Sequence, residues 1–303
     1  PRLSKMTAPP LIVGLGEALY DLLPVGPVLG GAPLNAAVQA HQIGRFLGGY
    51  AVMASRIGND ELGQALVDTL QARGMDTTPL QRDPEAPTGT VKVTLRGTEP
   101  EYEIIEDVAW DRLEWDAPLE RLAKRCDAVC FGTLGQRLQP ARATVQRFVE
   151  TAGQAARLFD VNLRQHYFSG DVLAAGFTAA SIVKMNEEEL PVVAPLLDAT
   201  GDESAIAQLI DQFELELFVL TRGRHGTKLF TRSETVEGRV ARFELEENAD
   251  SVGAGDACSA AVLHGAVRGW PLQQTADMAN QLGAYVASRS GATPELPEGL
   301  LGD

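Results

Sequence analysis

The sequence predicts an α/β protein built on a mostly parallel β-sheet covered on both faces. Three observations predict it. Short apolar or β-branched runs recur along the 303 residues. Amphipathic stretches of helical period lie between them. The runs are continuous rather than alternating, as in strands buried on both faces.

Taken in order, residues 11–14 (Leu-Ile-Val-Gly) form the first strand, and residues 50–56 the second. Residues 127–131, 157–161, 181–185 and 217–220 continue the series. Helical periodicity predicts helices over 60–73, 140–156 and 202–213, and the strongest ones over 253–267 and 272–289. Residues 18–30 have little helix character. Thr90-Val91-Lys92-Val93-Thr94-Leu95 and Tyr102-Glu103-Ile104-Ile105 flank a turn containing Gly97, the pattern of an antiparallel hairpin. A small sheet projecting from such a body can be a lid or a surface ornament, and the residues alone leave both open.

No repeat, low-complexity tract or long linker divides the chain. Residues 1–303 therefore read as a single domain, with any lid contributed by about 18–30 and 88–105. Residues 1–10 lack the apolar stretch of a signal peptide and are left out of the fold. The acidic run 244–250 reads as a solvated connection.

Composition excludes several functions. With 26 Lys and Arg against 41 Asp and Glu, the net charge is −15. A non-specific nucleic-acid binder or a polybasic membrane patch needs the opposite sign. Hydrophobic residues at 45% exclude disorder. No apolar run approaches the roughly 20 residues of a membrane-spanning helix. Three cysteines make no disulfide framework and predict reduced thiols in a cytoplasmic protein. Cys126 and Cys130 could be half of a metal site, but no second Cys/His cluster completes it, and both read as small buried hydrophobes.

Two glycine-rich segments stand out. Gly14-Leu15-Gly16 lacks the third glycine of a dinucleotide fingerprint, because position 19 is Leu, and there is no P-loop. Asp250-Ser251-Val252-Gly253-Ala254-Gly255-Asp256 runs directly into a helix. Its glycines allow close backbone approach, and a helix start offers unpaired N–H groups suited to a phosphate. Asp256 could face whatever that anion reacts with, or could simply cap the helix. Gly30-Gly31-Ala32-Pro33-Leu34-Asn35-Ala36-Ala37 also opens a helix. It reads as a contact to a small polar ligand or as an ordinary turn with Pro33 in the first helical turn.

These two segments, in this order and separation, resemble the two signatures of the ribokinase-like (PfkB) carbohydrate kinases, with Ser251 where the family usually has Thr. The first is similar to the form common among fructokinases. Gly16-Glu17 with Asp21, the segments 56–63 and 109–111, Asp160-Val161-Asn162-Leu163-Arg164 and Lys184-Met185-Asn186-Glu187-Glu188-Glu189 add to the resemblance, which covers about residues 11–293. It implies a three-layer α/β/α body with a small β lid. It implies transfer of the γ-phosphoryl group of ATP to a sugar hydroxyl with Mg²⁺, most similar to fructokinases making fructose 6-phosphate.

The resemblance also assigns residues. Asp256 is the implied base, and Gly253, Ala254, Gly255 and Asp256 the implied anion hole. A carboxylate at a helix N-terminus is expected to have a lowered pKa. Asp21, Gly31, Asn35 and Arg164 match sugar-binding positions. Asn186, Thr221, Gly223, Gly226 and Asn280 match nucleotide-side positions, with Arg222 or Arg224 nearby. Glu189 matches the residue that holds Mg²⁺ through water, although without the family an acidic first helical turn is the preferred reading of residues 187–189. Asp250 and the carbonyl of Val252 match a K⁺ position of several relatives. His225 reads as a loop residue near the nucleotide rather than a base. His41, His166 and His264 have no catalytic partner in sequence. Relatives dimerise through lid strands, so a homodimer is a further expectation. Other acceptors (a riboside, 2-keto-3-deoxygluconate, another ketose) and a non-catalytic sugar or nucleotide sensor are the competing readings.

Overall fold

The computed structural model describes residues 8–24, 26–96 and 99–301. The first half of the chain runs β1 (Leu11–Leu15), β2 (Leu19–Leu23), β3 (Gly26–Gly30), α1 (Ala32–Leu47), β4 (Tyr50–Gly58), α2 (Glu61–Ala72), β5 (Leu80–Asp83), β6 (Gly89–Arg96), β7 (Glu99–Ile104), α3 (Ala117–Arg125), β8 (Ala128–Gly132) and α4 (Ala141–Thr151). The second half runs β9 (Ala156–Asp160), α5 (Gly170–Ala179), β10 (Ile182–Asn186), α6 (Leu190–Leu196), α7 (Glu203–Gln212), β11 (Leu217–Thr221), β12 (Thr227–Phe230), β13 (Thr235–Glu237), α8 (Ala254–Arg268) and α9 (Leu272–Val286).

Nine strands form one sheet in the order β13-β12-β11-β10-β9-β8-β1-β4-β5. Pairing is parallel except at β11-β12 and β12-β13. The six apolar runs became its central strands. Ile12, Ala128, Leu158, Ile182 and Val219 face α1, α8 and α9 on one side. Val13, Val129, Phe159, Val183 and Phe218 pack with α3, α4, α5 and α7 on the other. The result is the three-layer body expected from continuous apolar strands.

Local signals fix several boundaries. Asp60 caps α2, accepting from Gly63 N–H at 2.8 Å, so the helix begins at Glu61. The helix predicted over 140–156 stops at Thr151, because 156 already belongs to β9. A short reversal through Gly153 carries the chain back to the sheet.

Residues 18–30 and 88–105 form a second, four-stranded sheet in the order β3-β2-β6-β7. The predicted hairpin is present, paired from Val91↔Ile104 to Arg96↔Glu99, while Gly97 lies outside the described residues. Gln165 Nε2 donates to Tyr102 O at 2.7 Å, and Tyr167 Oη to Glu106 Oε1 at 2.8 Å. The loop after β9 is thereby fastened to this sheet.

The strand order reverses at β1, which lies between β4 and β8. In such sheets ligands bind beyond the carboxyl ends of the strands at the reversal. The ends of β1, β9, β10 and β11 deliver Glu17, Arg164, Glu189 and Thr221 to that rim.

Candidate active site

Gly253 caps α8 in the left-handed region, with φ 77°. A Cβ there would fall on the Ala292 carbonyl. The glycine thus lets the loop lie flat against the segment after α9 and leaves the first-turn N–H groups without acceptors inside the helix. Asp256 is the third residue of α8, so it does not cap the helix. Its pKa is also not lowered as the helix terminus alone predicts. Burial, then the neighbouring Asp160 charge, push it up to about 6, against the lowering influence of Lys184, Asn35 and Arg164. Desolvation is the largest contribution to the rise.

The first glycine-rich segment meets the second. Gly31 precedes α1 with φ 108°, and a Cβ would lie 2.6 Å from Glu17 O. Asn35 then sits in the first turn of α1, which packs against α8. Its Nδ2 donates to Asp256 Oδ2 at 2.8 Å, while its buried Oδ1 has no protein partner. Asp21 is half-buried on β2. Burial raises its pKa, and the charge of Arg164 opposes the rise. Arg164 is exposed in the loop after β9, with Nη1 donating to Leu163 O at 3.2 Å. Asn35 is bonded to Asp256, and the charge of Arg164 reaches both Asp21 and Asp256, so these four residues lie near one another.

Three buried charged residues to which the sequence motifs assign no role lie close to Asp256. Glu17 is 2% exposed, its Oε2 has no partner, and burial drives its pKa up to about 7 despite Arg164. Lys184 Nζ meets Asp160 Oδ2 at 2.7 Å, and Ser259 Oγ donates to the same oxygen at 2.9 Å. All three of these groups are buried. One signal could have exposed the pair: a lysine within the apolar run 181–185 needs a buried counter-charge.

Of the residues that the resemblance puts on the nucleotide side, Asn186, Thr221, Gly223 and Gly226 lie at or just after the ends of β10 and β11, and Asn280 of α9 meets Gly226. Asn186 Oδ1 accepts from Glu188 and Glu189 N–H at 2.9 and 2.8 Å. Glu189 returns the bond, its Oε2 accepting from Asn186 N–H at 2.8 Å, while Oε1 accepts from Leu163 N–H at 2.8 Å. Burial raises its pKa. Thr221 ends β11, and Gly223 and Gly226 shape the turn to β12. A Cβ on Gly226 would lie 2.7 Å from Asn280 Nδ2, which donates to Arg239 O at 3.2 Å. The buried Asn280 Oδ1 has no partner. Arg222 is paired with Glu237 at 3.4 Å, while Arg224 and His225 are exposed.

Asp250 Oδ1 accepts from Val252 N–H at 2.9 Å and its Oδ2 from Gly291 N–H at 3.2 Å, joining the loops before α8 and after α9. No cluster of three or more His, Cys, Asp or Glu residues is placed to hold a metal among the described residues. One buried carboxylate suits an ion that stays hydrated and arrives with phosphates better than a protein-built cage. The three cysteines are free and buried, as expected for small hydrophobes. No helix among the described residues is long and apolar enough to cross a membrane.

Comparison with known proteins bears on the family and the fold. The family described as pfkB family carbohydrate kinase matches residues 25–299. A sugar kinase of Pyrococcus horikoshii is 30% identical over 315 residues, spanning 95% of this chain and 94% of its own. Fructokinase-1 of Oryza sativa subsp. japonica is 29% identical over the same shares. Among solved structures, a double-mutant fructokinase of Vibrio cholerae O395 with fructose, ADP and a potassium ion is 25% identical. It superposes with a TM-score of 0.78, covering 97% of each chain. The ATP complex of the Pyrococcus sugar kinase is 27% identical, with a TM-score of 0.76 and 93% of each chain covered.

Proposed function

The chain belongs to the pfkB family of carbohydrate kinases, and we propose that it transfers the γ-phosphoryl group of ATP to the 6-hydroxyl of D-fructose. The observation that carries the assignment of the centre is the Asn35–Asp256 hydrogen bond, which joins the two glycine-rich segments at one point. The choice of fructose is supported by the fructokinases among the relatives and by the neighbouring hydroxyl acceptors Asp21, Asn35 and Asp256.

In this reading Asp256 accepts the proton of the attacking hydroxyl. A carboxyl near pKa 6 is a stronger base than an ordinary aspartate, yet it is still ionised at neutral pH. The first-turn N–H groups at Gly253, Ala254, Gly255 and Asp256 receive the charge on the moving phosphoryl oxygens. Asn35 orients Asp256 and offers its free Oδ1 to a sugar hydroxyl. Asp21 accepts from adjacent hydroxyls, and Arg164 donates to them. The second sheet acts as a lid that excludes water. On the far side, Asn186, the turn carrying Thr221, Gly223 and Gly226, and Asn280 hold the nucleotide. Magnesium, bound with ATP, supplies neutralisation of phosphate charge, and Glu189 is the residue that would hold it, through water. Potassium belongs at Asp250 and the Val252 carbonyl. The free thiols suit a cytoplasmic enzyme, and the outer strands β3 and β7 of the lid are the proposed dimer edge, to be checked by light scattering.

A panel of neutral sugars, ribosides and sugar acids assayed for ADP release tests the acceptor. D-fructose is expected to show the highest kcat/KM. A riboside or 2-keto-3-deoxygluconate ahead of it overturns the acceptor assignment. Sugar binding with no phosphorylated product in Mg-ATP overturns the kinase reading in favour of a sensor.

A further inference from the structure

Asp160 and Lys184 are register partners on adjacent parallel strands, so their side chains leave the same face of the sheet. That face is covered by α8. The pair is tied to α8 by the Ser259 hydroxyl, one turn beyond Gly255. A Cβ on Gly255 would lie 3.5 Å from Lys184 Nζ, so the ammonium lies directly beneath the first turn of the helix. We propose that Lys184 and Asp160 are a positioning pair that sets the charge of Asp256 and keeps a permanent positive charge under the phosphoryl-receiving turn.

The chemistry supports a fixed charge. Burial favours loss of the Lys184 proton, but the charge and hydrogen bond of Asp160 outweigh it, and the ammonium is held above its ordinary range. Other groups also face Asp256. Glu17 lies on the segment after β1, Arg164 on the loop after β9, and the thiols of Cys130 and Cys258 on β8 and α8. Both thiols are raised by burial and stay neutral, and Arg164 is exposed to solvent screening. Within this set, Asp160 and Lys184 push Asp256 in opposite directions. A purely structural ion pair would damage the fold equally whichever partner is removed. A charge-setting pair has variants of opposite sign.

The kinetic meaning of this pair rests on Asp256 as the base, but its electrostatic effect does not. The test is a carbon-13 NMR titration of the Asp256 carboxyl in the ligand-free protein, with the signal assigned by its loss in Asp256→Asn. Asp160→Asn keeps shape and hydrogen bonds, and should lower the midpoint by about 1 unit. Lys184→Met should raise it by a similar amount, and the double variant should fall between the two. The acidic limb of the kcat/KM profile should move in the same directions. Shifts of the same sign in both single variants, or midpoints left at the wild-type value, overturn the proposal. Opposite NMR shifts with an unmoved pH profile uphold the pair and sink the role of Asp256 as base. If Lys184→Met does not fold, Asp160→Asn and the double variant decide, since Asp160→Asn must lie below the wild-type midpoint and the double variant above Asp160→Asn.

Discussion

The side-chain amide of Asn35 donates to the Asp256 carboxylate at 2.8 Å, across 221 residues of sequence. One residue lies in the first turn of α1 and the other in the first turn of α8. The bond stabilises the ionised carboxylate and aims it, and its loss should be read in both rate and pH dependence.

Asn35→Ala is expected to lower kcat/KM about 10- to 100-fold, the range for removing a hydrogen bond to a charged group. The acidic limb, which reports Asp256 near pH 6, should move to higher pH because the carboxylate loses a donor. Steady-state kinetics from pH 5 to 8 check both. Unchanged kinetics would mean that the bond serves packing only.

Glu17 links pH to stability with a definite sign. Its pKa rises from 4.5 to about 7 on folding, mainly through burial. The folded state therefore holds the proton more tightly, and stability is lost as pH climbs from about 4.5 through about 7. The loss is on the order of 3 kcal/mol. Glu17→Gln should be more stable than wild type at pH 8, with the difference shrinking towards pH 5. Urea unfolding at the two pH values measures it, and a pH-independent difference contradicts the burial argument.

Gly253→Ala combines a left-handed backbone with a Cβ directed onto the Ala292 carbonyl. Strain of this kind costs about 1–3 kcal/mol, and the loop must move to relieve it. Thermal unfolding should show the lowered stability, and ADP release should fall more steeply than stability because the anion-binding turn is displaced. Retained activity with lowered stability would separate the glycine from the proposed anion hole.

Potassium at Asp250 is tested by omission. Replacing potassium with a large organic cation should slow sugar-dependent ADP release severalfold, and adding potassium back should restore it. Asp250→Asn keeps the loop shape but weakens the ion's charge partner, so its rate should respond less. Equal rates in both salts remove potassium from the mechanism.

Much of this was legible in the chain itself. The six central strands are readable because each is buried on both faces and therefore mostly apolar. The two glycine-rich segments are readable because tight backbone turns before helices admit few other residues. Asp160, Lys184 and Glu17 were less so. A charged residue beside an apolar run does not name its partner, and Asp160 and Lys184 are 24 positions apart yet adjacent in register. The end of the helix predicted over 140–156 and the start of the strand after it also depended on packing, since helical period persists past the point where the chain must turn back to the sheet.

The amino-acid sequence by itself determined the α/β class, the six core strands, the glycine-bounded helix starts and the family resemblance. These follow from local burial pattern and backbone freedom, which neighbouring residues encode. Only the tertiary structure decided the strand order, the meeting of Asn35 with Asp256, and the protonation behaviour of Asp256. Helix-terminus reasoning predicts a lowered pKa there. Desolvation and the Asp160 charge reverse it, because the electrostatic energy of a carboxylate depends on what surrounds it in space, and no stretch of sequence contains that surrounding.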